Sequence, residues 1–289
     1  MIIRIGKFEV TVVLTLLLTF SFFATLITEN KVATVSTSNE SVRLPVIMYH
    51  HITEKIDKAG KYTVLTTEFE NDLEHIKNNG YTTVTVSDLI DYVNNGTQLP
   101  EKPIMITFDD GFESFYHLAY PLLKKYNMKA VLSVIGSVTE KYSAINDHNI
   151  NYSNLTWEQI TELHKSKFVE IQNHSYDMHK NDSDSRKGLS KRKNESEENY
   201  ASALKVDLMK LQSLLYKKCG FEPTAVAYPY GSYSKTTTEI VKSCGFSCTL
   251  ICEERINHIE AGNPDSLYNL GRFNRASGIK TVDFFRKLI

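Results

Sequence analysis

Two aspartates stand side by side directly after an apolar segment of the chain. Asp109 and Asp110 follow Phe108 and the run Pro103 to Thr107 (PIMIT). An isolated Asp-Asp-Gly sequence would most often form a turn. Behind a buried strand, however, the two carboxylates lie at the sheet edge where α/β proteins carry functional residues, and their repulsion requires a proton or a cation. The pattern therefore indicates a site that holds positive charge.

A pair of histidines provides candidate metal ligands. His174 and His179 follow another apolar run, Phe168 to Ile171. On an α-helix their spacing would place them about 140° apart around the axis, so a regular helix cannot direct both at one ion, whereas a strand end followed by a loop can. Two imidazoles and one carboxylate form a His₂Asp set that leaves positions for water or substrate, as a catalytic metal requires. The sequence therefore favours metal ligation by both histidines together with the aspartate pair.

Apolar runs and amphipathic segments alternate along the chain. Strands are predicted at 43–49, 103–107, 130–135, 168–171 and 224–227. Helices are predicted from Thr67 to a stop at Gly80, at 87–95, 114–126, 200–218 and 234–244, and after a capping box that begins at Thr156. The charged segment from Lys180 to Tyr200 is predicted to be a solvated loop or the approach to a helix, with a role in substrate binding as the alternative. This alternation predicts parallel βαβ units, as a barrel or an open doubly wound sheet, with functional residues at the carboxyl ends of the strands.

The composition is that of an ordinary globular protein. Of the 289 residues, 42% are hydrophobic and 23% are charged, with 13 Gly and 7 Pro, which excludes a disordered or collagen-like chain. The 33 Lys and Arg residues nearly balance the 34 Asp and Glu residues, so the net charge is -1. The chain therefore lacks the strong positive field that would retain a nucleic-acid backbone, and nucleic acid is not expected as a partner.

The amino terminus has the pattern of an export signal. Arg4 and Lys7 precede an apolar run from Val10 to Ile27. Such a run after a cationic start is typical of a secretory signal peptide, although its length comes close to a bilayer span, so an uncleaved anchor is the alternative. We predict a signal peptide at 1–28, a linker at 29–42 and one domain at 43–289, either secreted or associated with the cell surface or cell wall.

Taken in order, the motifs resemble those of the polysaccharide deacetylase family, carbohydrate esterase family four, whose common core is the NodB homology domain. The likeness rests on Thr107-Phe108-Asp109-Asp110-Gly111, on the histidine pair and on Tyr228-Pro229-Tyr230-Gly231, and it covers about residues 103–289. The early segment Met48-Tyr49-His50-His51-Ile52 narrows the likeness to biofilm poly-β-1,6-N-acetylglucosamine N-deacetylases. The resemblance implies an α/β fold, a distorted (β/α) barrel of about seven strands.

Carried over by position, the resemblance implies a division of roles between the two aspartates. Asp110, His174 and His179 would bind a divalent metal ion, with Zn²⁺ expected and Co²⁺, Ni²⁺ or Fe²⁺ as alternatives. Asp109 would stay free as the general base, because the ion neutralises only one of the two carboxylates. The family therefore assigns metal binding and proton abstraction to neighbouring residues.

The Tyr-Pro-Tyr-Gly turn is expected to contact substrate. The backbone N–H of Tyr230 resembles the family's oxyanion donor. Tyr228, Pro229 and Tyr230 are predicted to line a sugar-binding groove, since aromatic rings on an irregular turn suit carbohydrate.

The sequence departs from the wider family at an arginine and at a histidine. Where many members have an arginine before the Pro-Tyr-Gly turn, this chain has Ala227-Tyr228. Arg272 is the candidate to orient Asp109 in its place, with a surface salt bridge as the alternative interpretation.

The family's late Leu-x-x-x-His motif is also absent, because the last histidine of the chain is His258. The resemblance to the biofilm deacetylases assigns the role of general acid to the early His50, and His51 is the next candidate.

The sequence thus predicts an exported, metal-dependent amide hydrolase that removes acetyl groups from extracellular poly-N-acetylglucosamine. Each hydrolysis frees an amine that is largely protonated at neutral pH, so the polymer becomes partly cationic and adheres to anionic surfaces. A peptidoglycan or chitin deacetylase would use the same residues, and a carbohydrate-binding module without catalysis is the alternative from another class. An intact ligand set beside a spare carboxylate argues against such a module. The protein is expected to be a monomer, with association with the cell surface or the outer face of the membrane as an option.

Overall fold

Short parallel strands and the helices between them build the fold. The computed structural model describes residues 41–181 and 186–288. The strands are β1 (Val42–Leu44), β2 (Val46–Tyr49), β3 (His51–Thr53), β4 (Thr63–Leu65), β5 (Thr82–Thr83), β6 (Pro103–Phe108), β7 (Ala130–Val134), β8 (Val169–Asn173), β9 (Ala225–Ala227), β10 (Cys248–Leu250), β11 (Asn257–Ile259) and β12 (Phe273–Asn274). The α-helices are α1 (Thr66–Asn78), α2 (Val86–Asn95), α3 (Tyr120–Tyr126), α4 (Gly136–Ile145), α5 (Trp157–Lys165), α6 (Glu197–Cys219), α7 (Thr237–Ser243) and α8 (Thr281–Phe285).

Seven of these strands form one curled parallel sheet. Their order is β10-β9-β8-β7-β6-β2-β12, and β5 pairs beside β6. The two edges of the sheet meet at a parallel bridge between Leu250 in β10 and Leu270, shortly before β12. The prediction of a distorted (β/α) barrel of about seven strands is therefore confirmed, and all the strand ends that matter for function lie on one side.

Strand β6 shows why the apolar runs become central strands. Every residue from Pro103 to Phe108 is buried. Ile104 and Ile106 belong to one apolar cluster, and Met105 belongs to another on the opposite face. A strand that is buried on both faces has a strongly specified register, because a slip by one residue would exchange its two faces. This register sets the point at which Asp109 leaves the sheet.

Three predicted elements differ from the structure for local reasons. The predicted strand 43–49 is divided at Pro45, which has no N–H to donate to a ladder; β1 pairs antiparallel with β11, and β2 joins the main sheet. The predicted helix 114–126 begins as a π-helix over Phe115–Ala119 and continues as α3. The predicted helix 234–244 begins only at Thr237. The capping box at Thr156 is confirmed, because its N–H donates to Gln159 Oε1 at 2.9 Å.

The charged segment before α6 is more packed than predicted. The side chain of Arg186 is only 6% exposed and its guanidinium donates to both carboxylate oxygens of Glu195, at 2.8 and 2.5 Å. Helix α6 begins at Glu197, with the Ser196 hydroxyl as its N-cap. The prediction of a solvated loop or helix approach is therefore wrong for Arg186 and Glu195, whereas residues 192–194 are exposed as predicted.

The predicted signal peptide at 1–28 and most of the predicted linker lie outside the described residues. Within the two ranges that the structure describes, no helix combines the length and the apolar character needed to cross a bilayer.

Candidate active site

Polar side chains from the carboxyl ends of several strands surround one cavity of about 620 Å³. Asp109 and Asp110 follow β6, His174 follows β8 and His50 follows β2. The lining consists of Met48, His50, His51, Lys61, Tyr62, Thr63, Asp109, Asp110, Phe112, His174, His179, Asn181, Lys187, Tyr230, Cys252, Glu254 and Asn274. The residues proposed for metal binding and for acid and base chemistry therefore converge where the sequence predicts.

A left-handed turn separates the two neighbouring carboxylates. Asp110 has φ of 72° and Gly111 has φ of 69°. Aspartate tolerates this conformation better than most residues, and at Gly111 a Cβ atom would also lie 3.1 Å from Val134 Cγ1. The Asn154 amide fixes the turn by donating to the Asp110 carbonyl at 2.8 Å. The backbone therefore presents adjacent carboxylates to different partners.

Asp110 and the two histidines form a compact donor set. The Nε2 atoms of His174 and His179 lie 3.4 and 3.2 Å from Asp110 Oδ1. One ligand atom from each of the three residues lies within 4.8 Å of the other two. Among the described residues, this is the only such group of three or more His, Cys, Asp and Glu side chains.

The chemistry of this set fits a divalent metal ion. The Nδ1 atom of His174 lies 2.8 Å from the Ala227 carbonyl oxygen. That bond assigns the ring proton to Nδ1 and leaves Nε2 with a lone pair directed at Asp110, as is usual for a histidine ligand. Asp110 Oδ1 is buried and accepts no well-formed hydrogen bond from the described residues. A charged carboxylate oxygen that is buried away from water needs a compensating cation, and a divalent metal ion would supply it.

Asp109 is bound by an arginine rather than by the histidines. Arg272 is fully buried, and its two terminal nitrogens donate to Asp109 Oδ1 and Oδ2 at 2.8 and 2.7 Å. The guanidinium is held in turn by the Ile251 carbonyl, which accepts from Nε at 3.0 Å. The sequence left two interpretations of Arg272 open. The structure shows a buried contact between Arg272 and Asp109, not a surface salt bridge.

The charges of this cluster shift its pKa values in opposite directions. Burial by itself would raise the pKa of Asp109, but the Arg272 and His174 charges outweigh it and hold that pKa below the usual value. Burial is likewise outweighed at Asp110, where the two histidines hold the pKa well below its ordinary range. For His174, the two carboxylates overcome burial and raise the pKa. The site is therefore negative enough to stabilise either a proton on His174 or a metal cation.

His50 and His51 both line the cavity. The ring of His50 packs 4.9 Å from the Tyr62 ring, and its Nδ1 is buried without a hydrogen-bond partner among the described residues. Burial lowers the pKa of His50, although Asp109 and Asp110 act against this shift. The ring of His51 packs 4.9 Å from Phe112. Of the two histidines, His50 is the one whose pKa is affected by the charges of Asp109 and Asp110.

Of the three residues of the Tyr-Pro-Tyr turn that were predicted to line a groove, only Tyr230 lines the cavity. Tyr230 is 43% exposed, has φ of 59°, and its ring lies 4.4 Å from that of His179. Tyr228, in contrast, is fully buried in an apolar cluster, and burial raises its pKa to about 12. Pro229 is also buried and does not line the cavity. The prediction that Tyr228 and Pro229 line the groove is therefore wrong, because both residues face the packing beneath the turn.

One wall of the cavity is formed by residues that no sequence pattern indicates. Lys61 and Tyr62 directly precede β4, which begins at Thr63 and pairs with β3. Both strands have only three residues, which is too short for a periodic pattern to reveal them. Glu254, after the equally short β10, and Lys187, in the charged segment before α6, were also not singled out.

Comparison with known protein families identifies the family of the chain. The family model described as polysaccharide deacetylase matches residues 96–249, which is more than half of the chain. The chain belongs to the polysaccharide deacetylase family.

Two curated relatives and one solved structure show which deacetylases the chain is similar to. The poly-β-1,6-N-acetyl-D-glucosamine N-deacetylase of Escherichia coli (strain K12) is 23% identical over 260 residues, covering 84% of this chain and 38% of that protein. The enzyme of the same name from Staphylococcus aureus (strain MRSA252) is 28% identical over 195 residues, covering 67% of this chain and 62% of that protein. A de-N-acetylase from Aggregatibacter actinomycetemcomitans superposes with a TM-score of 0.71 at 25% identity, over 86% of this chain and all of that chain. The chain thus spans less than two thirds of the length of both curated relatives.

Proposed function

We propose that the chain hydrolyses the acetamide groups of N-acetylglucosamine units in extracellular poly-β-1,6-N-acetylglucosamine. The observation that carries this proposal is the pairing, in one cavity, of a carboxylate bound by Arg272 with the Asp110, His174 and His179 donor set. The names of the relatives in Escherichia coli and Staphylococcus aureus support the choice of polymer. The products are acetate and a free amine on the polymer.

In this proposal Asp110, His174 and His179 hold a divalent metal ion, for which Zn²⁺ is the first candidate. A mixed nitrogen and oxygen donor set with three protein ligands is typical of catalytic zinc, and Co²⁺, Ni²⁺ and Fe²⁺ accept the same donors. The chemistry that such an ion supplies is Lewis acidity toward the acetamide carbonyl and a lower pKa for a nearby water. The protein's part is to fix the three ligand atoms, through the turn at Asp110 and the bond from His174 to Ala227.

Asp109 acts as the general base. Because Arg272 keeps the Asp109 carboxylate ionised, it can accept the proton of the water that attacks the acetamide carbon. The Arg272 contacts also fix the direction of the carboxylate, so the base does not have to be ordered during the reaction. Tyr230, whose backbone is held in the left-handed turn, presents its N–H as the donor to the carbonyl oxygen as negative charge develops there.

His50 donates a proton to the leaving amine when the C–N bond breaks. Its lowered pKa means that the ring is mostly neutral at neutral pH, and the protonated fraction increases as the pH falls. The proposed step therefore becomes faster below neutrality for as long as Asp109 stays ionised.

Acetate release from defined oligomers tests the function. The purified protein, loaded with Zn²⁺, is expected to release acetate from β-1,6-linked N-acetylglucosamine oligomers and much less from β-1,4-linked oligomers. Asp109→Asn is the control that removes the base and keeps the ligand set. A preference for the β-1,4 linkage would favour a peptidoglycan or chitin deacetylase, and polymer binding without acetate release would favour a carbohydrate-binding module.

We also propose that the protein acts outside the membrane as a monomer, at the cell surface or in the cell wall. The support for this location is the sequence pattern of residues 1–28 and the extracellular nature of the proposed polymer.

A further inference from the structure

Three charged side chains line the cavity outside the reacting groups. They are Lys61 at the start of β4, Lys187 before α6 and Glu254 after β10. Glu254 already has partners, since its Oε1 accepts from the Asn274 N–H at 3.3 Å and its Oε2 lies 3.8 Å from the Lys287 ammonium. In the part of the chain that the structure describes, neither lysine forms an ion pair, and the Lys61 ammonium lies 5.0 Å from the centre of the Tyr62 ring.

The carboxylates deeper in the cavity do not compensate these lysines. Asp109 is neutralised by Arg272 at 2.7 Å, and Asp110 faces the two imidazoles that form its ligand set. With Glu254 also beside a lysine, the described part of the wall presents two lysines that have no ion-pair partner among the described residues, both on exposed side chains. Such a wall repels a cationic ligand and leaves a neutral one unaffected.

We propose that Lys61 and Lys187 make the enzyme discriminate against polymer units whose neighbours are already deacetylated. This inference rests on the proposed function, because the product of that reaction is a glucosamine with a protonated amine. An N-acetylglucosamine neighbour is neutral, whereas a glucosamine neighbour brings a positive charge to the wall of the cavity. The lysines therefore act as specificity-determining residues, and as a result the deacetylated units are spaced along the polysaccharide.

The expected size of the effect is moderate. Two unit charges at roughly 8 Å in a water-like dielectric repel by about 0.5 kcal/mol, which changes a rate or binding constant about 2.4-fold, so two lysines together give about five- to sixfold. Because the Debye length is about 10 Å at 0.1 M salt and about 3 Å at 1 M, high salt removes most of this discrimination.

Three synthetic β-1,6-linked pentamers provide the test. The first contains only N-acetylglucosamine, the second has one central glucosamine, and the third has glucose at that central position. The glucose pentamer also lacks the central acetamide but carries no charge, so the ratio of kcat/KM between the second and third pentamers isolates the effect of charge. The ratio is measured with the Zn²⁺-loaded full chain at pH 6.5, in 0.02 M and 0.5 M salt.

We expect the wild-type protein to hydrolyse the glucosamine pentamer about fivefold more slowly than the glucose pentamer at low salt. The double variant Lys61→Gln/Lys187→Gln should bring the ratio close to one. Lys167→Gln removes a lysine that lines a different cavity and should leave the ratio at its wild-type value. Glu254→Gln should strengthen the discrimination.

Equal rates on these two pentamers, or a ratio that the double variant does not change, would overturn the inference. Acetate release from the fully acetylated pentamer in the same experiment would still support the proposed function. No acetate from any pentamer would overturn the proposed function and this inference with it.

Discussion

The substitution Arg272→Gln tests how the protein keeps its general base ionised. Asp109 and Arg272 are both almost fully buried and share two hydrogen bonds of 2.8 and 2.7 Å. Glutamine keeps much of the volume and some hydrogen bonding but removes the charge. Burial then acts on Asp109 without a matching cation and raises its pKa, because a low-dielectric environment disfavours the charged form. The acid limb of the kcat/KM profile should therefore move to higher pH.

The size of the effect follows from the role of the base. A positioned general base contributes about 10²- to 10⁴-fold to the rate, so kcat/KM at pH 7 should fall by up to that factor. The deficit relative to the wild type at the same pH should shrink toward pH 9, where Asp109 of the variant is ionised again. Breaking a buried ion pair by removing one partner costs about 3–5 kcal/mol of stability, and protonation of Asp109 reduces this cost. In the wild type, the lowered pKa of Asp109 contributes stability above the unfolded-state pKa of about 3.9, and that stability is lost as the pH falls through the folded-state pKa.

The assay is acetate release from pH 5 to pH 9, with metal content and Tm measured on the same samples. Arg275→Gln is the matched control, because Arg275 forms an equally buried pair with Asp72 at 2.7 Å and does not contact Asp109. It should lower Tm without moving the acid limb. Arg272→Lys keeps the charge but not the two-pronged geometry, and it should restore part of the activity.

Near-normal kcat/KM at pH 7 in Arg272→Gln, with an unmoved acid limb, would refute the argument that Arg272 sets the ionisation of Asp109. Parallel shifts in Arg272→Gln and Arg275→Gln would show that lost stability, and not the local charge, causes the change.

Three further predictions address the division of roles and the location. Asp110→Asn should lose bound metal, whereas Asp109→Asn should keep metal and lose turnover; equal metal loss in both, measured by elemental analysis, would contradict this division. His50→Ala should lower kcat about 10²- to 10⁴-fold at constant metal occupancy while His51→Ala has the smaller effect, and the reverse order would move the general acid to His51. Cell fractionation should find the tagged protein outside the cytosol because of residues 1–28, and a purely cytosolic protein would contradict the proposed substrate.

The positions of the site residues were predictable because they follow central strands. A strand such as β6, with six buried residues, is visible as an apolar run, and the residue after it must lie at the carboxyl edge of a parallel sheet. The same reasoning places His174 after β8. Both of these strands are at least five residues long.

The rest of the site depends on contacts that no local pattern carries. Arg272 lies two positions after Leu270 and before a strand of only two residues, and it is buried where the bridge between Leu250 and Leu270 joins the sheet edges. Tyr228 belongs to an aromatic motif that suggests carbohydrate binding. The direction of its side chain is instead set by the apolar cluster that it shares with Leu189 and Tyr200, which lie far away in the sequence. The carboxylates and histidines were therefore predictable from the sequence, whereas Tyr228 and Pro229 were not, because tertiary packing decides their environment.

The ion pair between Asp109 and Arg272 joins residues that are 163 positions apart in the sequence. Contacts of such long range form slowly, because a large loop must close before they contribute. During synthesis, β6 and the Asp109 carboxylate emerge before the residue that supplies their cation. The buried charge pair is therefore completed only when the segment around Leu270 joins the two edges of the sheet and brings Arg272 to Asp109. Deleting residues 270–289 would remove Arg272 and leave the buried carboxylate of Asp109 without its charge partner.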